Sequence, residues 1–235
     1  MELRIVVIIP FYNASFYLND CYVSLLKQDY KNYRLIFSDD GSTDGSMNLI
    51  PENERVTRIR QSERVGTVRN IYNILSTSDL AEDDIVVLVG GEDYLLHARV
   101  FYKINELYKK YNCLLTYGQF CTGKGFIGNC SPYTKEEFVN LRKCDWRISH
   151  LKSFRFKLFT AFLKQDPQLN AYKDEQGRYY LNSSDIALMY PLPEIAGYEN
   201  IRFNKNVMYV QRYPPDLPLS FENQLRSKQP FERAF

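Results

Sequence analysis

The chain is short of the residues that most readily mark a site by themselves. Its 235 residues include one tryptophan, two histidines and five cysteines. Cys21, Cys113, Cys121, Cys130 and Cys144 are odd in number, contain no Cys-x-x-Cys and show no paired spacing. That excludes a cysteine-built metal module and argues against a secreted disulfide framework, leaving free, mostly buried thiols in a reducing compartment. No apolar run approaches the roughly 18–20 residues needed to cross a bilayer. Glu2 and Arg4 precede only a five-residue apolar run, which is not signal-peptide architecture. The expectation is a soluble, cytoplasmic protein. A net charge of +2 gives no reason to expect nucleic acid as a partner or a polybasic membrane anchor. Peripheral membrane association stays compatible with these numbers. Internal repeats and low-complexity tracts are also missing.

What is present is ordinary core material, 45% apolar and 25% charged residues, together with nineteen tyrosines. The first half alternates. An apolar run over Ile5–Ile9 leads to a helical stretch over about 15–28. A second run, Tyr33–Ser38, leads to a helix expected to open at Ser42-Thr43-Asp44, good N-cap chemistry. A short strand at Val56–Arg60 leads to a helix over about 66–78, and Ile85–Val89 leads to a helix over about 96–110. Continuous apolar strands separated by helices predict an α/β fold with a mostly parallel, Rossmann-like sheet covered on both faces. Beyond about 112 the pattern changes. Leu114–Gly118 reads as a strand and 121–135 as a loop. Leu151, Phe154, Leu158, Phe159 and Phe162 recur at helical spacing and predict a helix around 150–164. A further helix is expected over 183–190 and a strand over Val207–Gln211. One domain is expected: a ligand-binding half over about 1–112, a second half over about 113–212 built onto the sheet edge, and a peripheral tail over about 213–235.

In an open α/β sheet, ligands bind beyond the carboxyl ends of the parallel strands. Three such ends carry chemistry: Tyr12 after the first strand, Asp39-Asp40 after the second, and Glu92-Asp93 after the fourth. Carboxylates there can accept hydrogen bonds from a base or ribose, or hold a hard cation against a diphosphate. Asp83-Asp84 is equally acidic but precedes its strand, so it belongs to the opposite edge and reads as turn chemistry. Asp39-Asp40 has that reading too, because Asp-Gly-Ser is good turn sequence.

Three segments carry a family resemblance: Val7-Ile8-Ile9-Pro10-Phe11-Tyr12-Asn13, Ser24-Leu25-Leu26-Lys27-Gln28, and Ser38-Asp39-Asp40-Gly41-Ser42-Thr43-Asp44-Gly45. Together they closely resemble the N-terminal half of the family 2 glycosyltransferases, which have the GT-A fold and transfer a sugar from a nucleotide diphosphate with inversion. Gly66-Thr67-Val68-Arg69-Asn70 is similar to that family's Gly-x-x-x-Arg-Asn segment, and Val89–Leu95 falls where it has Asp-x-Asp-Asp. The likeness is good over about 4–100 and thinner beyond. It implies that Pro10 and Tyr12 pack on the nucleotide base, that Asp40 binds the base edge, with a uracil N3–H as natural partner, and that Arg69 steadies base or diphosphate. It also implies that Glu92, with Asp93 beside it, binds Mn²⁺ or Mg²⁺. The family's first Asp of Asp-x-Asp is Gly90 here.

The resemblance places the catalytic base at the start of a helix in the second half, where Asp185 stands in Ser183-Ser184-Asp185; Glu194 is the rival, and a plain first-turn carboxylate the structural alternative. The run Trp146–Arg155 resembles a segment of some of these transferases. It offers Trp146, His150 and Lys152 as acceptor or diphosphate contacts, or equally as a helix start with an aromatic anchor. Arg212 is a further candidate for the phosphates, and His97 reads as structural. The expected activity is metal-dependent transfer of a hexosyl group from a nucleotide sugar, a UDP-sugar, to an acceptor hydroxyl in glycan or polysaccharide synthesis. The alternative is a catalytically degenerate nucleotide-sugar-binding module. A nucleotidyltransferase is disfavoured, because no Gly-rich, Lys-containing triphosphate loop follows the first strand.

Overall fold

The computed structural model describes residues 2–181, 184–212 and 219–235; the side chains of 184–185 and 219–222 lie outside the described set. Among the described residues, eight strands form one sheet in the order β3-β2-β1-β4-β7-β6-β8-β5. These are β1 (Ile5–Phe11), β2 (Tyr33–Asp39), β3 (Val56–Arg60), β4 (Ile85–Leu88), β5 (Tyr94–Leu95), β6 (Leu115–Thr122), β7 (Lys152–Arg155) and β8 (Ile201–Gln211). The helices are α1 (Leu18–Leu26), α2 (Thr67–Thr77), α3 (Val100–Tyr111), α4 (Lys135–Val139), α5 (Phe156–Gln165), α6 (Ser184–Met189), α7 (Pro191–Ala196) and α8 (Leu219–Ser227). Strand β1 pairs in parallel with β2 and β4, and β2 with β3. This is the fold expected from the alternating apolar runs. Residues Ile5, Val7 and Ile9 face a core with α1 and α3, while Val6 and Ile8 face a second core with α2, α5, α6 and α7. The period-two alternation of an apolar strand thus supplies both faces.

The second half extends the sheet beyond β4. Strand β7 is antiparallel to both β4 and β6, so β6 and its parallel neighbour β8 run the same way as β4. The carboxyl ends of β1, β2, β4, β6 and β8 therefore share one edge. Strand β7 was expected to be the first turn of a helix. Instead the helix begins at Phe156, and Lys152–Arg155 is a buried strand threaded between two others. Four residues with two cations carry no strand signal of their own; pairing with β4 and β6 decides the conformation. The helix expected at Ser42-Thr43-Asp44 shrinks to one 3₁₀ turn, Ser46–Leu49. Pro51 disfavours helix at Ile50 and ends it.

The control pair Asp83-Asp84 does lie on the opposite edge. Asp84 accepts from Arg4 Nε at 2.9 Å and from the Ala81 amide at 2.8 Å, and Asp83 pairs with Arg155 and Lys157. The segment read as a peripheral tail sends Leu225 and Phe231 into the core, and its Leu225 carbonyl accepts from Arg142 at 2.6 Å. No helix among the described residues is long and apolar enough to cross a membrane.

Candidate active site

The loops after β1 and β2 are stitched into one unit. The Asp40 amide donates to Phe11 O at 2.8 Å. The Asn13 amide donates to Ser42 Oγ, the Thr43 amide to Asn13 Oδ1, the Ala14 amide to Ser46 Oγ and the Ser15 amide to Asp44 Oδ2, each at 2.9 Å. The polar letters of Asp-Asp-Gly-Ser-Thr-Asp-Gly-Ser are thus mostly cross-braces. Their bonds to Ser15 and Ser46 hold the Asp44 carboxyl down at about 2 against the opposing effect of its desolvation. Asp39 likewise turns inward, accepting the Ser42 amide at 2.7 Å.

Asp40 points the other way. Its carboxylate accepts the Val65 amide at 2.8 Å and the Gly66 amide at 3.0 Å, which fastens the loop before α2 to the end of β2. Burial pushes its pKa up, and those two amides oppose the rise. Gly41 makes this approach possible: its φ is +79°, and a Cβ there would stand 2.9 Å from Glu63 C. The same loop lays the Arg64 guanidinium over the Tyr12 ring, 4.2 Å from its centroid. Arg69 projects from the first turn of α2, donates to the Tyr179 hydroxyl and lies 4.6 Å over that ring. Leu181 lies against Gly66, its Cα 3.1 Å from where a Cβ at that glycine would stand.

Glu92 and Asp93 follow β4 on the same edge. Burial, aided by the neighbouring Asp93 charge, lifts the Glu92 carboxyl to about 6. Asp93 is buried, accepting the Tyr209 hydroxyl at 2.7 Å and the Arg212 amide at 2.9 Å. A side chain at Gly90 would begin 3.1 Å from Asp93 Oδ2 and 3.5 Å from Glu92 Oε2. The two carboxylates therefore converge over the residue that lacks one. Among the described residues no group of three or more His, Cys, Asp or Glu forms a cation cage. Glu92 and Asp93 are the residues of this loop whose oxygens a hard cation could use.

The second half contributes less at the surface of this edge. Lys152 pairs with Leu88 at the carboxyl end of β4 but is 2% exposed. His150 is buried, stacked on Tyr209 at 4.4 Å and 7°. Trp146 packs against Tyr190 with centroids 4.5 Å apart. Arg212, at the end of β8, pairs with Asp20 in the first turn of α1 and lies between the rings of Tyr17 and Tyr94. The Glu194 side chain, 8% exposed, is held in an ion pair by Arg142 Nε at 2.6 Å and Nη2 at 2.8 Å and also accepts the Phe231 amide at 3.1 Å. Asp185 lies in the first turn of α6, with its side chain outside the described residues. Arg64, Tyr179 and Tyr209 were not read from the sequence. Arg64 stands two residues ahead of a recognisable motif, but Tyr179 and Tyr209 meet their partners from more than 100 residues away.

An α/β sheet with an aromatic residue and acidic residues at three parallel strand ends is the arrangement in which such folds place a ligand beyond the carboxyl ends of the strands. Residues 6–163 match the model of glycosyl transferase family 2, and the chain belongs to that family. It is 27% identical over 168 residues to an uncharacterized glycosyltransferase of Haemophilus influenzae, covering 68% of this chain and 62% of that one. It is 25% identical over 208 residues to glycosyltransferase GlyG of Streptococcus pneumoniae, covering 82% and 66%. The chain thus spans under two thirds of the length of both relatives. Among solved structures, TarS 1-349 of S. aureus in complex with UDP-GlcNAc superposes with a TM-score of 0.64 at 15% identity, over 97% of this chain and 62% of that one. The mannosyltransferase PcManGT of Pyrobaculum calidifontis, in complex with GDP-Man and Mn²⁺, gives 0.58 at 16% identity over 91% and 58%. These likenesses establish the GT-A fold.

Proposed function

We propose that the protein is an inverting, metal-assisted glycosyltransferase that moves a hexosyl group from a UDP-sugar to an acceptor hydroxyl in glycan or polysaccharide synthesis. The observation that carries this reading is the convergence of Tyr12, Asp40 and Glu92 on one sheet edge through the parallel strands β1, β2 and β4. The UDP-GlcNAc complex of TarS, a protein of the same fold, supports the choice of donor. Five free cysteines suit a cytoplasmic setting.

In this reading Pro10 and Tyr12 receive the base. Asp40 accepts the uracil N3–H on lone pairs left over from its two amide bonds, since a carboxylate offers about four. Arg69 leaves Tyr179 for the base or diphosphate. Mn²⁺ or Mg²⁺, held by Glu92 with oxygens of the donor, would supply positive charge against the leaving diphosphate. Asp185 removes the acceptor proton as the hydroxyl oxygen forms its bond to the anomeric carbon. The bond from that carbon to the diphosphate breaks on the opposite face, its electron pair leaving on the diphosphate oxygen. Lys152 of β7, paired with Leu88 at the end of β4, adds positive field to that edge. Trp146 and His150 act from behind it, by packing.

Calorimetric titration with UDP, with and without Mn²⁺, tests the donor assignment; absence of binding in both conditions sinks it. A second reading, a binding module without catalysis, draws on Gly90. Incubation with a panel of nucleotide sugars separates the two, because a working site releases free UDP slowly by water attack and a degenerate one does not.

A further inference from the structure

Strand β6 ends at the same sheet edge as β1, β2 and β4, and the chain turns back there in a tight hairpin over 122–128. The Thr122 amide donates to Phe126 O and the Gly125 amide to Thr122 O, each at 2.8 Å. The Phe126 amide donates to Thr122 Oγ1 at 3.1 Å. The Gly123 amide donates to Gln211 O of β8 and the Gly128 amide to Phe120 O, each at 2.9 Å. At the base of the turn the Phe120 ring reaches within 2.4 Å of where a Cβ on Gly128 would stand, and it meets His150 edge-on. At the tip nothing comes within 4 Å of a Cβ built on Gly125. The hairpin is thus a braced point that projects into solvent.

Its tip reads Lys124-Gly125-Phe126-Ile127. Phe126 is 69% exposed and Ile127 61%, two large apolar side chains in succession where turns ordinarily carry Gly, Asn, Asp or Ser. Neither belongs to either core. Single exposed apolar residues need no explanation, but an adjacent pair on a projecting turn marks an interaction surface. Phe16, 88% exposed, stands on the loop after β1 at the same edge. A line of contacts joins the two loops. The Phe16 and Tyr17 rings are 5.8 Å apart, Arg212 lies 5.3 Å over Tyr17, and Arg212 Cα is 3.7 Å from where a Cβ on Gly123 would stand.

Shape, backbone and charge select a lipid surface as the occupant. A convex point needs a matching hollow on a protein partner, whereas a headgroup layer yields to it. Backbone groups that enter an apolar medium must be paired from within. The amides of Thr122, Gly123, Gly125, Phe126 and Gly128 already are. No Asp or Glu occurs between Glu106 and Glu136, so Lys124 is the charge of the tip, and nearby Asp20 is matched by Arg212. Apolar side chains beside a cation are what an anionic membrane surface retains.

We propose that Phe126 and Ile127, with Lys124 beside them, dock the protein on an anionic membrane surface, holding the edge that carries Tyr12, Asp40 and Glu92 beside the bilayer. Docking does not depend on the donor reading, and vesicle binding is measured without nucleotide, so the two fail separately.

The test is co-sedimentation of the full chain with vesicles of phosphatidylcholine, with and without phosphatidylglycerol. The wild type binds the mixed vesicles, and binds phosphatidylcholine alone about fivefold more weakly. F126S/I127S loses at least about tenfold on both. K124E loses about fivefold on the mixed vesicles only. Both variants keep the melting temperature of the wild type, because the altered side chains are exposed. F126W gives a second measurement: its emission shifts to the blue on mixed vesicles, beyond any change shown by Trp146 in the wild type. The proposal fails if the wild type binds neither vesicle, if F126S/I127S or K124E binds mixed vesicles as tightly as the wild type, or if the F126W emission does not move. A dimer in sedimentation velocity that F126S/I127S splits, with no vesicle binding by the wild type, would make the tip a contact between copies and overturn it too.

Discussion

The Asp40 carboxylate and the Gly66 amide are 3.0 Å apart, joined across 26 residues of sequence, with the Val65 amide on the other oxygen at 2.8 Å. One side chain thus serves as the base-edge acceptor and as the clasp of the loop that opens α2. Hydrogen bonds to a charged acceptor contribute about 1.5–3 kcal/mol each. D40A is expected to lower stability by about 2–4 kcal/mol in chemical denaturation and to weaken UDP binding at least tenfold. Unchanged stability would show that the loop is held by other contacts.

Glu92 sits in a place that disfavours its charge. Burial raises its pKa to about 6, so the ionised carboxylate present at neutral pH costs stability in the ligand-free protein. E92Q should raise the melting temperature measured without ligand, through a gain of about 1 kcal/mol, and should abolish transfer. A variant that is both less stable and inactive would point to a structural role instead.

The Asp185 assignment makes a narrower claim. D185N removes the proposed proton acceptor. Its rate of sugar transfer, or of donor hydrolysis, should fall by roughly 10²–10⁴. UDP affinity should remain within about twofold of wild type. Persistent transfer would mean that the base lies elsewhere.

Arg142 and Glu194 form a bidentate pair beneath the C-terminal segment, with both side chains 8% exposed. Removing one partner leaves a buried charge uncompensated, which costs about 3–5 kcal/mol. E194A should be destabilised by that amount in urea while keeping the UDP affinity of the wild type. A large loss of affinity would return Glu194 to the list of candidate site residues.

Asp44 supplies a pH dependence of known sign. Folding lowers its pKa from 3.8 to about 2, so between those values the unfolded chain binds more protons than the folded one. Its contribution is fully present above pH 4 and is lost as the pH falls through about 2. Asp44 is exposed, so the effect is softened by solvent and salt. D44N should flatten the stability profile in that window; a profile identical to wild type between pH 4 and 2 would remove Asp44 from the brace.

The apolar runs Ile5–Ile9, Tyr33–Ser38 and Ile85–Val89 were readable as parallel strands because each is long enough, and apolar enough on both faces, to be nothing else. Their ends then placed Tyr12, Asp40 and Glu92 without any coordinates. Signals that depend on partners were not readable in this way. Leu151, Phe154 and Leu158 fit a helix, yet Lys152–Arg155 is a strand because β4 and β6 offer it a full set of hydrogen bonds. Ser42 and Asp44 look like helix caps, yet they spend their oxygens on Asn13 and Ser15 of the neighbouring loop.

The sequence by itself determined the parallel half-sheet, the shared edge and the family, since periodicity and strand-end residues are local properties. Only the tertiary structure decided which donors each acidic group meets. Asp39, Asp93 and Glu194 are as acidic in sequence as Asp40 and Glu92. Asp39 meets Ser42, Asp93 meets Tyr209 and Arg212, Glu194 meets Arg142, and Asp40 meets Val65 and Gly66. A carboxylate's role depends on which donors fold against it, and the donors Tyr209, Arg212 and Arg142 come from parts of the chain 52 to 119 residues away.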